Sequence, residues 1–325
     1  MMTMLRNLSL ISLLFLALTV STPLGAVEYK RHITVAQDGS GDYLTLTEAM
    51  EGIRAFMDYT VTVDIKNGVY REKLVIPSWL ENVEFIGESA DSTIITFSDH
   101  ANINKMGTFR TYTVKVEGCD MTFRNLTIEN NAEQLGQAVA LHTEGDRLSF
   151  INCRFLGNQD TIFTGGRKAR LYFGGCYIEG TTDFIFGPAT ALFEDCTIYS
   201  KRDSYITAAS TPADVEVGYV FNRCKIKAAP GVGKVYLGRP WRPHAFTMFI
   251  DCEMDGHITP AGWDNWRNPE NEKTARYGEY GSTGAGASPD TRVTWALTPD
   301  AETARRYVDA SGIFTMTDNW KPNKQ

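Results

Sequence analysis

Phe150–Phe163 reads FINCRFLGNQDTIF, Tyr172–Phe186 reads YFGGCYIEGTTDFIF, and Leu192–Ile206 reads LFEDCTIYSKRDSYI. Each places an aspartate seven residues after a cysteine: Cys153 and Asp160, Cys176 and Asp183, Cys196 and Asp203. A phenylalanine precedes each cysteine by three residues (Phe150, Phe173, Phe193), and an apolar residue follows by two (Phe155, Ile178, Ile198). A solenoid needs such a register, because each unit buries its apolar positions only against the units above and below. If the units are rungs of parallel β-structure, equivalent residues stack about 4.8 Å apart. Asp160 and Asp183 are then neighbours. Two stacked carboxylates on one sheet are unfavourable and therefore point to chemistry.

The cysteine repeat extends from Cys119 to Cys252, at intervals of 20 to 34 residues. Its last two units keep Phe221 with Ile226 and Phe249 with Met254, but lack the aspartate. The fold therefore requires the apolar register, and the aspartates are additions to it. Before the repeat, VTVDI, KLVI, VEFIG, TIITF, YTVKV and MTFRNLTI alternate with glycine and asparagine, which is all-β spacing. Ahead of these, HITVAQ reads as a strand, and TLTEAMEGIRAF as a helix with Thr45 and Glu48 at capping-box spacing. This helix is expected to cover the N-terminal end of the solenoid, which would otherwise expose unpaired strand edges. Beyond Gly256 the chain reads as loop-rich, with a short helix over Pro299–Val308 capped by Thr298. No linker divides residues 27–325, so one domain is expected there.

The chain has 325 residues, of which 43% are hydrophobic, enough for a large core. Arg6, the apolar run LSLISLLFLALTV and Leu24-Gly25-Ala26 have the form of a secretory signal peptide over residues 1–26. That run is too short for a membrane span, and no span is expected in the mature chain. The protein is thus expected to be exported, either secreted or periplasmic. Six cysteines in such a protein would ordinarily suggest three disulfides. Here Cys119, Cys153, Cys176, Cys196, Cys224 and Cys252 each lie beside an apolar position, which predicts a buried column of mostly free thiols. A formal charge of −7 argues against nucleic acid as a partner. Metal-binding and serine-hydrolase motifs are missing, and DGSGD resembles a calcium loop except that Tyr43 stands where that loop needs glycine.

Asp160 and Asp183, one rung apart, cannot both ionise cheaply; one pKa should rise while a nearby cation holds the other low. That division yields one acid and one base or nucleophile. A lone aspartate at a turn corner ordinarily bonds local backbone amides, and Asp203, which has no companions, fits that description. Gln159 adjoins Asp160, and Gln137 opens the otherwise apolar run QAVAL, so both can present amide donors to a cleft. Arg239, in LGRPW, is a planar fork able to grip a carboxylate at two points. Trp241 beside it could stack on a sugar ring.

GDYLTLTEAM, GVYRE, GQAVAL, QDTIF, DFIFG, LGRPW and YGEYGSTG, in this order from about His32 to Trp295, resemble the pectin methylesterases (pectinesterases). The resemblance implies a right-handed parallel β-helix that hydrolyses the methyl esters of galacturonosyl units in pectin, with no cofactor and no metal. By motif, Asp183 resembles the nucleophile and Asp160 the general acid and base. Gln159 and Gln137 resemble the oxyanion donors, and Arg239 the residue that holds Asp183 ionised. Trp241, Thr108, Phe163, Phe186 and Trp263 match positions where the family contacts polysaccharide. Methylated homogalacturonan is the implied partner, and a monomer is the expected state. After LGRPW, RPHAFTMFID departs from the plant pattern.

Two alternatives compete with the esterase. A polygalacturonase-like glycosidase also sets aspartates on a β-helix, with carboxylate separation deciding its stereochemistry. The two glutamines discriminate against it, because acyl transfer needs oxyanion donors and glycoside hydrolysis does not. A carbohydrate-binding or adhesive β-helix has no use for a stacked acid pair with an arginine.

Overall fold

The computed structural model describes residues 29–314, 318 and 320–324, and the expected signal peptide over residues 1–26 lies outside them. From His32 the chain ascends in short strands that form sheets of ten, seven and eight members. One rung shows the pattern: Leu148–Ile151 joins the ten-stranded sheet, Arg154–Leu156 the eight-stranded sheet and Ile162–Thr164 the seven-stranded sheet. The next rung repeats it with Arg170–Gly174, Tyr177–Gly180 and Ile185–Gly187. The pairing is parallel and in the register of the sequence repeat, with Phe150 opposite Phe173 and Ile162 opposite Ile185. The fold is all-β, a parallel β-helix, as the repeat requires.

The phenylalanines of the repeat stack face to face inside the helix. Phe85, Phe123, Phe150, Phe173, Phe193, Phe221 and Phe249 form one ladder, with successive centroids 4.8, 4.9, 4.8, 4.6, 4.5 and 4.4 Å apart. Phe85 and Phe123 extend it two rungs before the units in which the repeat is first visible. After six successive strands of the ten-stranded sheet, from Met121–Arg124 to Phe246–Ile250, the chain turns a sharp corner on a left-handed residue. Asn125, Asn152, Asp195, Arg223 and Asp251 have φ between 50° and 56°, and Gly175 has φ 61°. Asparagine, aspartate and glycine tolerate this region best, which is why they fill five of the six corners.

Immediately after the corner comes the cysteine. The Sγ of Cys153, Cys176, Cys196, Cys224 and Cys252 donates to the carbonyl of Phe123, Phe150, Phe173, Phe193 and Phe221 respectively, on the rung before. These five are buried free thiols, as expected. Cys119 is not in the column. It is only partly buried and accepts a hydrogen bond from the Asp146 amide, because it lies before its strand rather than after it. On that rung Leu126, three residues after Phe123, fills the column position.

Helix α1 (Leu46–Gly52) starts on the expected capping box between Thr45 and Glu48 and buries Leu46, Ala49 and Met50. Glu72 accepts from the amides of Leu46 and Thr47, which a helix start leaves without partners. The helix stops at Gly52, four residues before the end of the predicted segment. Helix α2 (Ala301–Val308) is capped by Asp300, which accepts from the Thr303 amide, rather than by Thr298. YGEYGSTG, expected as loop, supplies all but the first residue of Arg276–Tyr280, the last strand of the ten-stranded sheet. Helix α2, Ile313, Phe314 and Trp320 cover an outer apolar face of that sheet made by Tyr172, Leu192, Val220, Phe246 and Met248. No helix among the described residues is long and apolar enough to cross a membrane.

Candidate active site

The outer face of the seven-stranded sheet gathers the polar residues singled out above. Asp160 and Asp183 each lie two residues before paired strands, Ile162 opposite Ile185, so they occupy one position on adjacent rungs. Both have left-handed backbones, φ 65° and 48°, which aspartate accepts more readily than most residues. The Asp160 amide donates to the Thr182 carbonyl, and the Asp183 amide to that of Tyr205, so each corner is locked to the rung above. The Gln159 carbonyl accepts from the Ala138 amide, which sets Gln137 one rung below Gln159. Gln137 lies on the extended approach to the strand Leu141–Thr143 rather than inside a strand. Neither glutamine side chain is hydrogen-bonded to another described residue.

Arg239 comes from two rungs beyond Asp183, immediately after the strand Tyr236–Gly238. It crosses the intervening strand Tyr205–Ala209 and grips Asp183 with both prongs, Nε to Oδ1 at 2.9 Å and Nη2 to Oδ2 at 2.7 Å. Gly238 lets the chain approach closely here, since a Cβ at this position would collide with the Thr207 hydroxyl. Two rings lie against the guanidinium, its Cζ 4.0 Å from the centroid of Tyr205 and 3.9 Å from that of Trp266.

Asp160 and Asp183 are only 8% and 6% exposed, so desolvation dominates both. Burial pushes Asp160 well above the usual carboxylate range, the neighbouring charge of Asp183 pushes it further, and Arg239 opposes only in part. No described side chain hydrogen-bonds its carboxyl. Burial also raises Asp183, with Asp264 adding to the rise. The Arg239 hydrogen bonds and charge oppose it, but its pKa stays above the ordinary value rather than being held low as expected, because burial outweighs the arginine. Asp160 is thus the carboxyl that keeps its proton, and Asp183 the one equipped to lose it.

Around this pair lies an aromatic patch. Phe163, Phe186, Val139 and Ala208 pack with Tyr112, Trp241 and Trp266, and Phe186 lies 5.9 Å from Trp241. Phe163, Phe186 and Trp241 therefore stand together beside the carboxylates. Thr108 sits in the single turn Thr108–Arg110, and it is its neighbour Phe109 that packs on Phe163, at 4.9 Å. Trp263 does not face this patch. It is 1% exposed and packs inside the helix against Tyr277 and Phe249. The tryptophan of GWDNW that reaches the site is Trp266. Alternation along the segment, with the first tryptophan inward, was the available signal. Phe109 lies in none of the stretches quoted above, and Tyr205 lies in the third, where only the rung register singles it out.

Asp203 departs from its two counterparts. Ile162 and Ile185 lie nine residues after their cysteines, but Thr207, their partner on the next rung, lies eleven after Cys196. The two extra residues move Asp203 out of line, and Tyr205 takes the equivalent position. Asp203 instead accepts from the amides of Gly233 and Lys234, the backbone role expected for it.

The family model for pectinesterase matches residues 32–314. The chain belongs to the pectinesterase family. It is 39% identical over 299 residues to pectinesterase 31 of Arabidopsis thaliana, covering 89% of this chain and 94% of that one. The pectin methylesterase structure from carrot superposes with a TM-score of 0.81 at 33% identity, covering 87% of this chain and 92% of that one. A pectin methylesterase in complex with a hexasaccharide superposes with a TM-score of 0.78 at 28% identity, covering 92% of this chain and all of that one (100%). The chain is accordingly a carboxylic ester hydrolase of the pectinesterase type, which removes methyl esters from pectin.

Proposed function

We propose that Asp183 is the nucleophile of this hydrolysis and Asp160 its general acid and base. The ionised Asp183 attacks the ester carbonyl carbon of a methylated galacturonosyl unit, and the carbonyl oxygen becomes an oxyanion. Gln137 and Gln159 donate their amide N–H groups to that oxyanion. As the intermediate collapses, the carbon–oxygen bond to the methoxy group breaks and Asp160 gives its proton to the departing methanol. A mixed anhydride on Asp183 remains. Water then adds to the galacturonosyl carbonyl, Asp160 takes the water's proton, and Asp183 leaves as a carboxylate. The bidentate Arg239–Asp183 pair beside a buried, unpartnered Asp160 is the observation that carries these assignments.

The polysaccharide lies, on this proposal, along the patch of Phe163, Phe186, Trp241 and Trp266, whose ring faces suit the apolar faces of sugars. The single hydrolase domain spans residues 27–325 and is exported after removal of residues 1–26; N-terminal sequencing of exported protein should begin at Val27. The function is tested by titrating methylated pectin without added calcium. Methanol release should match base uptake one for one while polymer length stays constant. Chain shortening without methanol would overturn it.

A further inference from the structure

We propose that Tyr205 and Trp266 are positioning residues, a ring clamp that fixes the plane of the Arg239 guanidinium and so aims its fork at Asp183. This deepens the assignment of Asp183 and Arg239 given above and rests on it. The need for a clamp follows from topology. Arginine has a long side chain with much conformational freedom to lose, and here it must span an entire intervening strand to reach its partner. Hydrogen bonds to one carboxylate leave the guanidinium free to tilt about that axis. Two ring faces, 4.0 and 3.9 Å from Cζ, restrict that freedom while the N–H edge keeps its bonds to Asp183.

The clamp is itself braced on both sides. Behind Tyr205 lies Tyr236, stacked on it at 5.2 Å and 22°, so the ring against the guanidinium is backed by a second ring. On the far side, Trp266 and Arg267 have φ of 57° and 56°, strained values for a bulky residue that surrounding structure must hold. Asp264 supplies the hold: its Oδ1 accepts from the Trp266 amide at 2.7 Å, and its own amide donates to the Gly238 carbonyl at 3.1 Å, next to Arg239. Asp264 also offers the guanidinium a second carboxylate. A loose Arg239 would divide itself between two anions, and the clamp commits it to one.

The charged and titratable groups facing Asp183 are Arg239, Asp160, Asp264, Tyr205 and the buried Tyr277. Arg239 is the cation among them, so loosening it makes Asp183 harder to ionise. Tyr205→Leu in the full chain should therefore move the acid limb of the kcat/KM profile to higher pH by roughly half a unit. It should lower kcat by about tenfold, with KM changed less than twofold. Tyr205→Phe, which keeps the ring, should restore both. Trp266→Leu should shift the acid limb in the same direction, with Trp266→Phe restoring it. An unmoved acid limb in both leucine variants, or a change confined to KM, would overturn the clamp. Turnover surviving in Asp183→Asn would instead overturn the nucleophile assignment itself, which separates the two failures.

Discussion

At the scale of single residues, two chemically identical side chains are given different work by their surroundings. Asp183 has an arginine fork and Asp160 has none. Asp183→Asn should lower turnover by about a thousandfold or more with the circular dichroism spectrum unchanged, and Asp160→Asn nearly as much. A rate near that of the parent would remove the residue from the mechanism. The same burial has a stability consequence with a definite sign. Asp160 is raised in the folded protein, chiefly by burial, so the folded state holds a proton that the unfolded state has lost once pH passes the ordinary carboxylate range. Its contribution to stability is full at low pH and is lost as pH rises through its folded pKa. Asp160→Asn, neutral at every pH, should therefore melt roughly 2–4 °C higher than the parent at neutral pH. It should gain little at pH 3, where Asp160 is neutral in both states. Scanning calorimetry at the two pH values decides this, and equal melting points at neutral pH would contradict it.

At the scale of elements, the rung is built from a phenylalanine, a left-handed corner and a cysteine whose thiol caps the preceding rung's carbonyl. Burial pushes the Cys153 thiol up to about 12, while at Cys196 the hydrogen bonds of the neighbouring thiols outweigh burial and bring it down to about 5. All five are shut away from solvent, so the column should not react with thiol reagents in the native protein. With a chromogenic disulfide, at most Cys119 should titrate before denaturant is added, and the remaining five only on unfolding. Reaction of the column thiols in native protein would show that the rungs open. Most of this element was legible from Cys153, Cys176 and Cys196 alone, because stacking forces equivalent residues to repeat. What was not legible follows from the same logic. The two residues inserted between Asp203 and Thr207 left the spacing from Cys196 to Asp203 intact while moving the rung register to Tyr205. Cys119 and Trp263 misled for a related reason: their identities match the pattern, but strand phase, not residue type, decides which way each side chain faces.

At the scale of the whole molecule, the inside of the helix is closed by the phenylalanine ladder and the site lies on the outer face of the seven-stranded sheet. The ten-stranded sheet instead carries an apolar outer face that the C-terminal segment covers. Buried Arg170 fastens that segment, donating to Asp146, to the Phe314 carbonyl and to Asp318. Deleting the chain from residue 301 onward should lower the melting temperature and promote aggregation through Tyr172, Leu192, Val220, Phe246 and Met248. The kcat of the protein that remains folded should stay within about twofold, since no proposed catalytic group touches the segment. A proportionate loss of kcat would mean that the two faces are coupled. The stacking of Asp160 beneath Asp183 also bears on how such a chain can change over evolutionary time. Their separation is the spacing of two hydrogen-bonded strands, about 4.8 Å, a property of the peptide group that no substitution can tune. Whole repeats can be gained or lost at either end while that interval is preserved. One repeat inserted between them would open it to about 9.6 Å, too far for one ester to meet both carboxyls. The segment from Asp160 to Asp183 is therefore the one part of a modular chain that behaves as an indivisible unit of inheritance.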